Sequence, residues 1–197
     1  MKTTSGELRR TIVQEGEEIL RQTSNLVPEK MFGSGELKTL IAQMSEALDA
    51  EPDGVALAAP QIGVPLRVFI VRVDRTVHTK PTAAHPKKDA SKQASAPLVV
   101  TPHLEVYINP EIIRRSRKKQ VVDEGCLSVR GIYGTTKRHE RATIRARRED
   151  GSHVERGAGG LLAQIFEHEV DHLNGILFID HATQLAEIQH SHDTIPD

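Results

Sequence analysis

The sequence predicts a single α+β domain in which antiparallel strands pack around a central helix bearing an HExxH motif. Three observations predict it. Clear helical periodicity marks residues 36–49 and 161–173. Around these run short apolar or alternating stretches, at 66–73, 104–108 and 142–147, set off by Gly, Pro and Asn turn signals. The 197 residues, 38% of them hydrophobic, suffice for one domain with a core.

Taken in order, residues 11–20 (TIVQEGEEIL) read as a segment lying on the body of the domain. Residues 36–49 repeat Leu37, Leu40, Ile41, Met44, Ala47 and Leu48 at helical spacing, a stripe that belongs in a core. Residues 54–63 (GVALAAPQIG) are small, apolar and uncharged, so a backbone can pass close to them. Gln61 is the only side chain there able to donate a hydrogen bond. A strand at 66–73 follows. Residues 75–97 are rich in Thr, Lys, Ala, Ser and Pro, and read as a flexible surface insertion that carries little chemistry. The domain is expected to span 1–197 around it.

A strand at 104–108 should close at Asn109-Pro110. The basic run Arg114, Arg115, Arg117, Lys118, Lys119 reads as a solvated turn or as a transient ribosome contact. Residues 122–128 form a further strand, 134–138 a turn, and 142–147 a strand that returns through a hairpin at Glu149-Asp150-Gly151. After the helix at 161–173, residues 176–179 (ILFI) read as a short strand, and the polar tail from Gln184 as frayed.

The bulk numbers exclude some classes. A net charge of −1 gives no reason to expect a specific nucleic-acid partner or a membrane surface. No apolar run approaches the roughly 18 residues of a membrane span, and MKTTSGELRR lacks an apolar signal core, so a cytoplasmic protein is expected. Aromatic residues are only 3%, which leaves Leu, Ile, Val and Ala to fill the core. The single cysteine, Cys126, has no internal partner for a disulfide. It is an inert small residue, a nucleophile or a metal ligand.

The helix at 161–173 carries the chemistry. His168 and His172 stand four residues apart, so both imidazoles leave one face and can grip one metal ion, with Glu169 beside them. On a helical wheel Leu161, Leu162, Ile165, Phe166, Val170 and Leu173 form an apolar arc, with His172 inside it and His168 at its edge. Glu169 falls near the middle, where an unpaired carboxylate is costly. A His pair at this spacing can also be plain surface, but an ordinary surface helix would not place Glu there. Ala163, Gln164, Glu167, Asp171 and Asn174 take the other side. Two imidazoles and the Cys126 thiolate make three ligands, the count of a catalytic site that keeps a fourth position open. That donor set suits Fe(II), Zn, Ni or Co rather than Mg or Ca.

With the GVALAAPQ loop (54–61), EGCLS (124–128) and HEVDH (168–172) in this order, the sequence resembles the peptide deformylases, marked by GxGxAAxQ, EGCxS and HExDH. IVQEGEEILR, INPEI and DHLNGILFID match as well, so the resemblance covers nearly the whole chain outside 75–97 and the last dozen residues. It implies a hydrolase that removes the formyl group from N-formylmethionyl nascent peptides and releases formate. It implies one divalent metal ion on Cys126, His168 and His172, Fe(II) in the cell. Glu169 would accept a proton from water, and the Gln61 amide and Leu127 backbone N–H would meet the carbonyl oxygen. Val55, Val122, Leu161 and Ile165 would take the methionine side chain. The chain departs from the pattern at Ala56 (a glycine in the motif), at Arg130 (SVRG for SVPG) and at Glu167 (commonly Gln). Ala56 would shift the loop or narrow the cleft. Arg130 would place a charge near the entrance. Glu167 should point outward with little effect. Asp171 is expected to pair with Arg138 and brace the site.

Three rivals remain at this stage. One is a general HExxH peptidase, which would not need the 54–61 loop. Another is a non-catalytic or substrate-altered metal-binding protein of the same fold. The third is a thiol enzyme using Cys126 as nucleophile.

Overall fold

Along the strand Arg141–Arg147, Ala142, Ile144 and Ala146 are buried while Arg141 and Arg145 are exposed. This two-residue period puts one face on a core and the other in solvent, as expected of an antiparallel sheet. The computed structural model describes residues 11–76 and 103–187 and contains two such sheets. The elements that build them run β1 (Ala56–Ala58), β2 (Val68–Arg72), β3 (Leu104–Arg115), β4 (Lys119–Cys126), β5 (Val129–His139), β6 (Arg141–Arg147), β7 (His153–Gly159) and β8 (Thr183–Glu187). The helices are α1 (Gly35–Asp49), α2 (Val73–Thr76) and α3 (Leu161–Leu173), with short 3-10 turns between. One sheet has the order β1-β2-β3-β6-β7 and the other β4-β5-β8, every pair antiparallel.

Helix α1 forms where the apolar stripe predicts. Ser34 caps it, its hydroxyl accepting from Leu37 N at 3.2 Å, so one of the unpaired first-turn donors is satisfied. The stripe residues Leu37, Leu40, Ile41, Met44, Ala47 and Leu48 are all buried, in a cluster with Leu57, Ile62, Val68 and Ile70. Helix α3 packs against β1, β3, β6 and β7 of the larger sheet and against β5 of the smaller. Phe166 meets Phe69 and Tyr107 there, with ring centroids 6.2 and 5.3 Å away, and Phe69 stacks on Tyr107 at 4.9 Å. Aliphatic residues do dominate the core, yet three of the four phenylalanines are among its fully buried members.

Four sequence expectations change. Strand β3 does not close at Asn109-Pro110. It continues past a register shift there, with Asn109 at φ 52° and its amide bonded to both backbone groups of Val27, at 2.8 and 2.9 Å. The bulge spares the ladder from the missing proline N–H. Residues 134–138 are not a turn but the middle of β5. Residues 176–179 are not a strand: a 3-10 turn at Phe178–Asp180 buries Leu177 and Phe178 instead. Of the tail expected to fray from Gln184, residues 184–187 do not, because β8 pairs with β5; the rest lies outside the described residues. Of the expected insertion at 75–97, only residues 75 and 76 lie within the described residues, in α2.

Candidate metal centre

Gly160, at φ 58°, turns the chain from β7 into α3, and Gly175, at φ 75°, turns it out. A Cβ on Gly175 would come within 2.5 Å of the Arg21 carbonyl oxygen, so that exit requires glycine. Between them the helix presents His168 and His172 side by side, ring centroids 4.8 Å apart. The Cys126 thiol arrives from β4, whose register shifts between Gly125 and Cys126. Its Sγ lies 3.2 Å from His172 Nε2, and donor atoms of Cys126, His168 and His172 all lie within 4.8 Å of one another.

The electrostatics favour the thiolate here. Burial pushes the Cys126 thiol up, but the His172 and His168 imidazoles outweigh it and hold the group well below the ordinary thiol range. The sulfur also accepts from Ser128 N at 3.4 Å and Gln61 Nε2 at 3.6 Å. The fully buried His172 keeps its Nδ1 without a hydrogen-bond partner among the described residues. A half-buried thiolate with two imidazoles at this spacing is a donor set that fits a divalent metal ion of the softer kind.

Glu124, whose role the sequence left unread, organises the ring. It is 4% exposed and pairs with His168 Nδ1, Thr136 and the Arg138 guanidinium, which approaches at 2.7 and 3.1 Å. Burial alone would raise this carboxyl, but His168 and Arg138 hold it well below the usual range. Binding one ring nitrogen leaves the other for the Cys126 side, the arrangement by which a carboxylate orients a metal-binding histidine. Arg138 also reaches Asp171 at 2.6 Å, so the expected pair forms. The available signal was the acidic residue two positions before the cysteine.

Glu169 lies at the inner end of the cleft, 3% exposed, with Oε2 unpartnered among the described residues. Burial, aided by the Cys126 and Glu124 charges and opposed by the two histidines, pushes it up to about 7. Gln61 is 2% exposed. Its Oε1 accepts from Ala58 N at 2.8 Å and its Nε2 donates to Ser128 Oγ at 3.2 Å, which fixes the amide at the cleft. Gln61 and Leu127 both line a cavity of about 270 Å³ that also takes in Glu169, His168 and Cys126.

Of the four residues expected to receive the methionine, Val55, Leu161 and Ile165 line this cavity and Val122 does not. Asp123 is the first residue of β4 to line the cavity, and Val122 lies one position before it. Tyr133, unread from the sequence, does line it. A Cβ on Gly125 would come within 2.7 Å of the Tyr133 ring, so the glycine before the cysteine makes room for that ring. Ala56 sits in β1 with ordinary extended backbone, and its methyl only narrows the cleft.

Glu167 corrects the wheel. It does not point outward: it is 5% exposed, accepting from His139 N at 2.8 Å and Arg115 Nε at 2.9 Å, with the His139 ring at 2.7 Å. The wheel assumed solvent on that side, whereas β5 and the end of β3 cover it. Arg130, expected to add a charge at the entrance, is paired with Glu51 instead. A second cavity, about 430 Å³ between His103, Tyr107, Arg148 and Arg156, shares no lining residue with the first. Among the described residues no helix is long and apolar enough to cross a membrane.

The chain is similar to known proteins over most of its length. The model of the polypeptide deformylase family matches residues 9–187. A peptide deformylase of Novosphingobium aromaticivorans is 41% identical over 179 residues, covering 89% of this chain and 90% of that protein. One of Chloroflexus aurantiacus is 39% identical over 78% of this chain and 76% of its own. Among solved structures, the actinonin-bound class I type b peptide deformylase of Acinetobacter baumannii superposes with a TM-score of 0.69 at 31% identity, covering 88% of this chain and 97% of that one. A peptide deformylase of Legionella pneumophila gives the same TM-score at 34% identity, covering 89% and 86%. With a family match across almost all of its length, and the three motifs brought to one cleft, the chain belongs to the polypeptide deformylase family.

Proposed function

We propose how this chain, a peptide deformylase, removes the formyl group from N-formylmethionyl nascent peptides. Cys126, His168 and His172 hold one divalent metal ion, Fe(II) in the cell, with Zn, Ni or Co as substitutes. When bound, that ion supplies Lewis-acid polarisation of the formyl oxygen and makes water more acidic. The observation that carries the reading is Glu169: a buried carboxylate with an unpartnered oxygen, beside the three converging donors.

Glu169 takes a proton from the attacking water and returns it to the departing amine nitrogen. A buried carboxyl with Oε2 free for a new partner is placed for both transfers. The Gln61 amide, held by Ala58 and Ser128, and the Leu127 N–H stabilise the charge that develops on the formyl oxygen. Val55, Leu161 and Ile165 receive the methionine side chain, and the 39% exposure of Leu161 fits a wall awaiting an apolar ligand. Strand β1 is the outer strand of its sheet, so an extended peptide can lie along it.

Three further points belong to this reading. The chain is one domain with α3 at its centre, supported by the packing of that helix on strands of both sheets. It works in the cytoplasm, where nascent chains emerge. Arg114, Arg117 and Lys119, exposed at the β3–β4 turn, make a transient contact with the phosphate-bearing surface of a ribosome.

The test is formate release from formyl-Met-Ala-Ser beside cleavage of the same peptide without its formyl group, with and without a chelator. Chelator-sensitive formate release and an intact unformylated peptide are expected. Cleavage of the unformylated peptide bond would indicate a peptidase. Metal-independent turnover abolished by iodoacetamide would indicate a thiol enzyme. Metal binding with no turnover would indicate a non-catalytic relative.

A further inference from the structure

We propose that Arg75 and Arg130 are positioning residues that set how tightly the cleft grips the peptide beyond its methionine, by fixing the 49–54 loop that carries the Gly54–Val55 wall. This rests on the deformylase reading of the cleft.

The loop's own backbone closes turns through Glu51 N to Leu48 O at 3.1 Å and Gly54 N to Glu51 O at 3.0 Å, but most of its side chains face solvent. Asp49, Ala50, Pro52 and Asp53 are exposed, and only Leu48 before them and Gly54 after them are buried. Beside Arg72, which also reaches Asp49, Arg75 adds attachments from outside. Its Nη1 donates to three carbonyls, those of Leu48 and Glu51 at 3.3 Å and that of Gly54 at 2.8 Å, while Nη2 pairs with Asp49 at 2.8 Å. One guanidinium thus ties the end of α1 to the first residue of the cleft wall. Lysine has no planar fork with which to reproduce this set.

Arg130 holds the same loop from the opposite side. It stands near the start of β5, four residues after Cys126, and grips Glu51 with two contacts, Nη2–Oε1 at 2.6 Å and Nη1–Oε2 at 3.2 Å. Glu51 is therefore a link between the Gly54–Val55 wall and the strand pair that carries the metal-binding thiol. A two-pronged contact fixes orientation as well as distance. Neither arginine lines the 270 Å³ cavity, so each acts through the loop.

The place of the loop decides which part of the substrate feels it. Glu169, Gln61 and His168 define the inner end of the cavity, where the formyl group must lie. Asp53, Asp123 and Tyr133 are its exposed rim. A peptide that leaves the inner end for solvent passes Asp53 and Gly54 after its methionine. The metal donors come from α3 and the end of β4, which the loop does not carry. Loosening the loop should weaken the grip on the peptide and leave the chemistry intact.

The experiment compares formyl-Met-Ala-Ser with formyl-Met on metal-loaded wild type, Arg75→Ala, Arg75→Lys and Arg130→Ala, reading kcat, KM, bound metal and Tm. For Arg75→Ala, KM for the tripeptide should rise about tenfold, with kcat within about twofold and metal content unchanged. KM for formyl-Met should barely move. Arg130→Ala should shift the same ratio by about threefold, and Arg75→Lys should recover part of the loss. Equal KM changes on both substrates, or a fall in kcat with no change in the tripeptide-to-formyl-Met ratio, overturn the proposal. If Arg75→Ala does not fold, an unchanged ratio in both Arg75→Lys and Arg130→Ala overturns it. If the wild type releases no formate from either substrate, the deformylase reading fails. Calorimetric binding of Met-Ala-Ser to the same variants then tests the loop alone, and equal affinities reject it.

Discussion

Helices α1 and α3 are similar in length and both sit against the larger sheet, yet they bury different chemistry. The buried set of α1 is Leu37, Leu40, Ile41, Met44, Ala47 and Leu48, with no charged member. The buried set of α3 adds Glu167, Glu169 and His172 to its apolar residues. In α1, position on the wheel and burial agree, because the polar face is solvated. In α3 they disagree, because β5 and β3 cover the side where solvent was assumed. Charged groups then stay buried only through specific partners: Arg115 and His139 for Glu167, and Arg138 and His168 for Glu124 across the gap. Among the described residues Glu169 Oε2 has none, and neither has Nδ1 of the metal-binding His172. A residue that pays burial without a partner is where function is to be sought.

The contrast can be broken from either side. The largest effect should come from α3: His172→Ala removes a donor, and both bound metal and formate release should fall by at least about a hundredfold, measured by metal analysis and turnover. In α1, Met44→Ala should cost about 3 kcal/mol of unfolding free energy by urea denaturation, because it empties a fully buried site. Formate release per folded molecule should not change. If Met44→Ala altered turnover while stability held, the division between the helices would be wrong.

Glu124→Gln sharpens the comparison by keeping size and removing charge. The His168 ring loses its orienting carboxylate, and metal affinity should drop about 10- to 100-fold in chelator competition. Unchanged affinity would reduce the Glu124 network to packing.

The smallest effect is a pH slope in metal-free protein. Glu169 is pushed up to about 7 from an ordinary 4.5, chiefly by burial. Between those values the native chain keeps a proton that the unfolded chain has released. The contribution of this group is therefore full below about 4.5 and is lost as pH rises through about 7. Glu169→Gln has no proton to lose, so its Tm should gain on wild type between pH 5 and pH 8. A gap that narrows over that range would contradict the burial argument.

Much of this was legible in the sequence because two periodicities carried it. The stripe of α1, the alternation of β6 and the four-residue spacing of His168 and His172 each follow from local geometry. So did the convergence of Cys126, Gln61 and the HExxH helix, since each motif is chemically distinctive. What escaped was decided by contacts distant in sequence. The coverage of Glu167 depends on β5, and the burial of Leu177 and Phe178 won over the strand propensity of ILFI. Strand β8 forms because β5 offers it an edge, which a polar tail does not announce. Arg75 is the clearest case. It looked like the first residue of a chemically silent insertion, and it instead gathers three carbonyls of the loop before the cleft.

The central claim is that the unpartnered Glu169 moves the proton while Cys126, His168 and His172 hold the metal. The direct measurement is formate release by anaerobically purified wild type beside Glu169→Ala, with bound metal counted in both. The account predicts equal metal and a loss of turnover of about a thousandfold in the variant. Equal metal with turnover retained would contradict it and move the proton to another group.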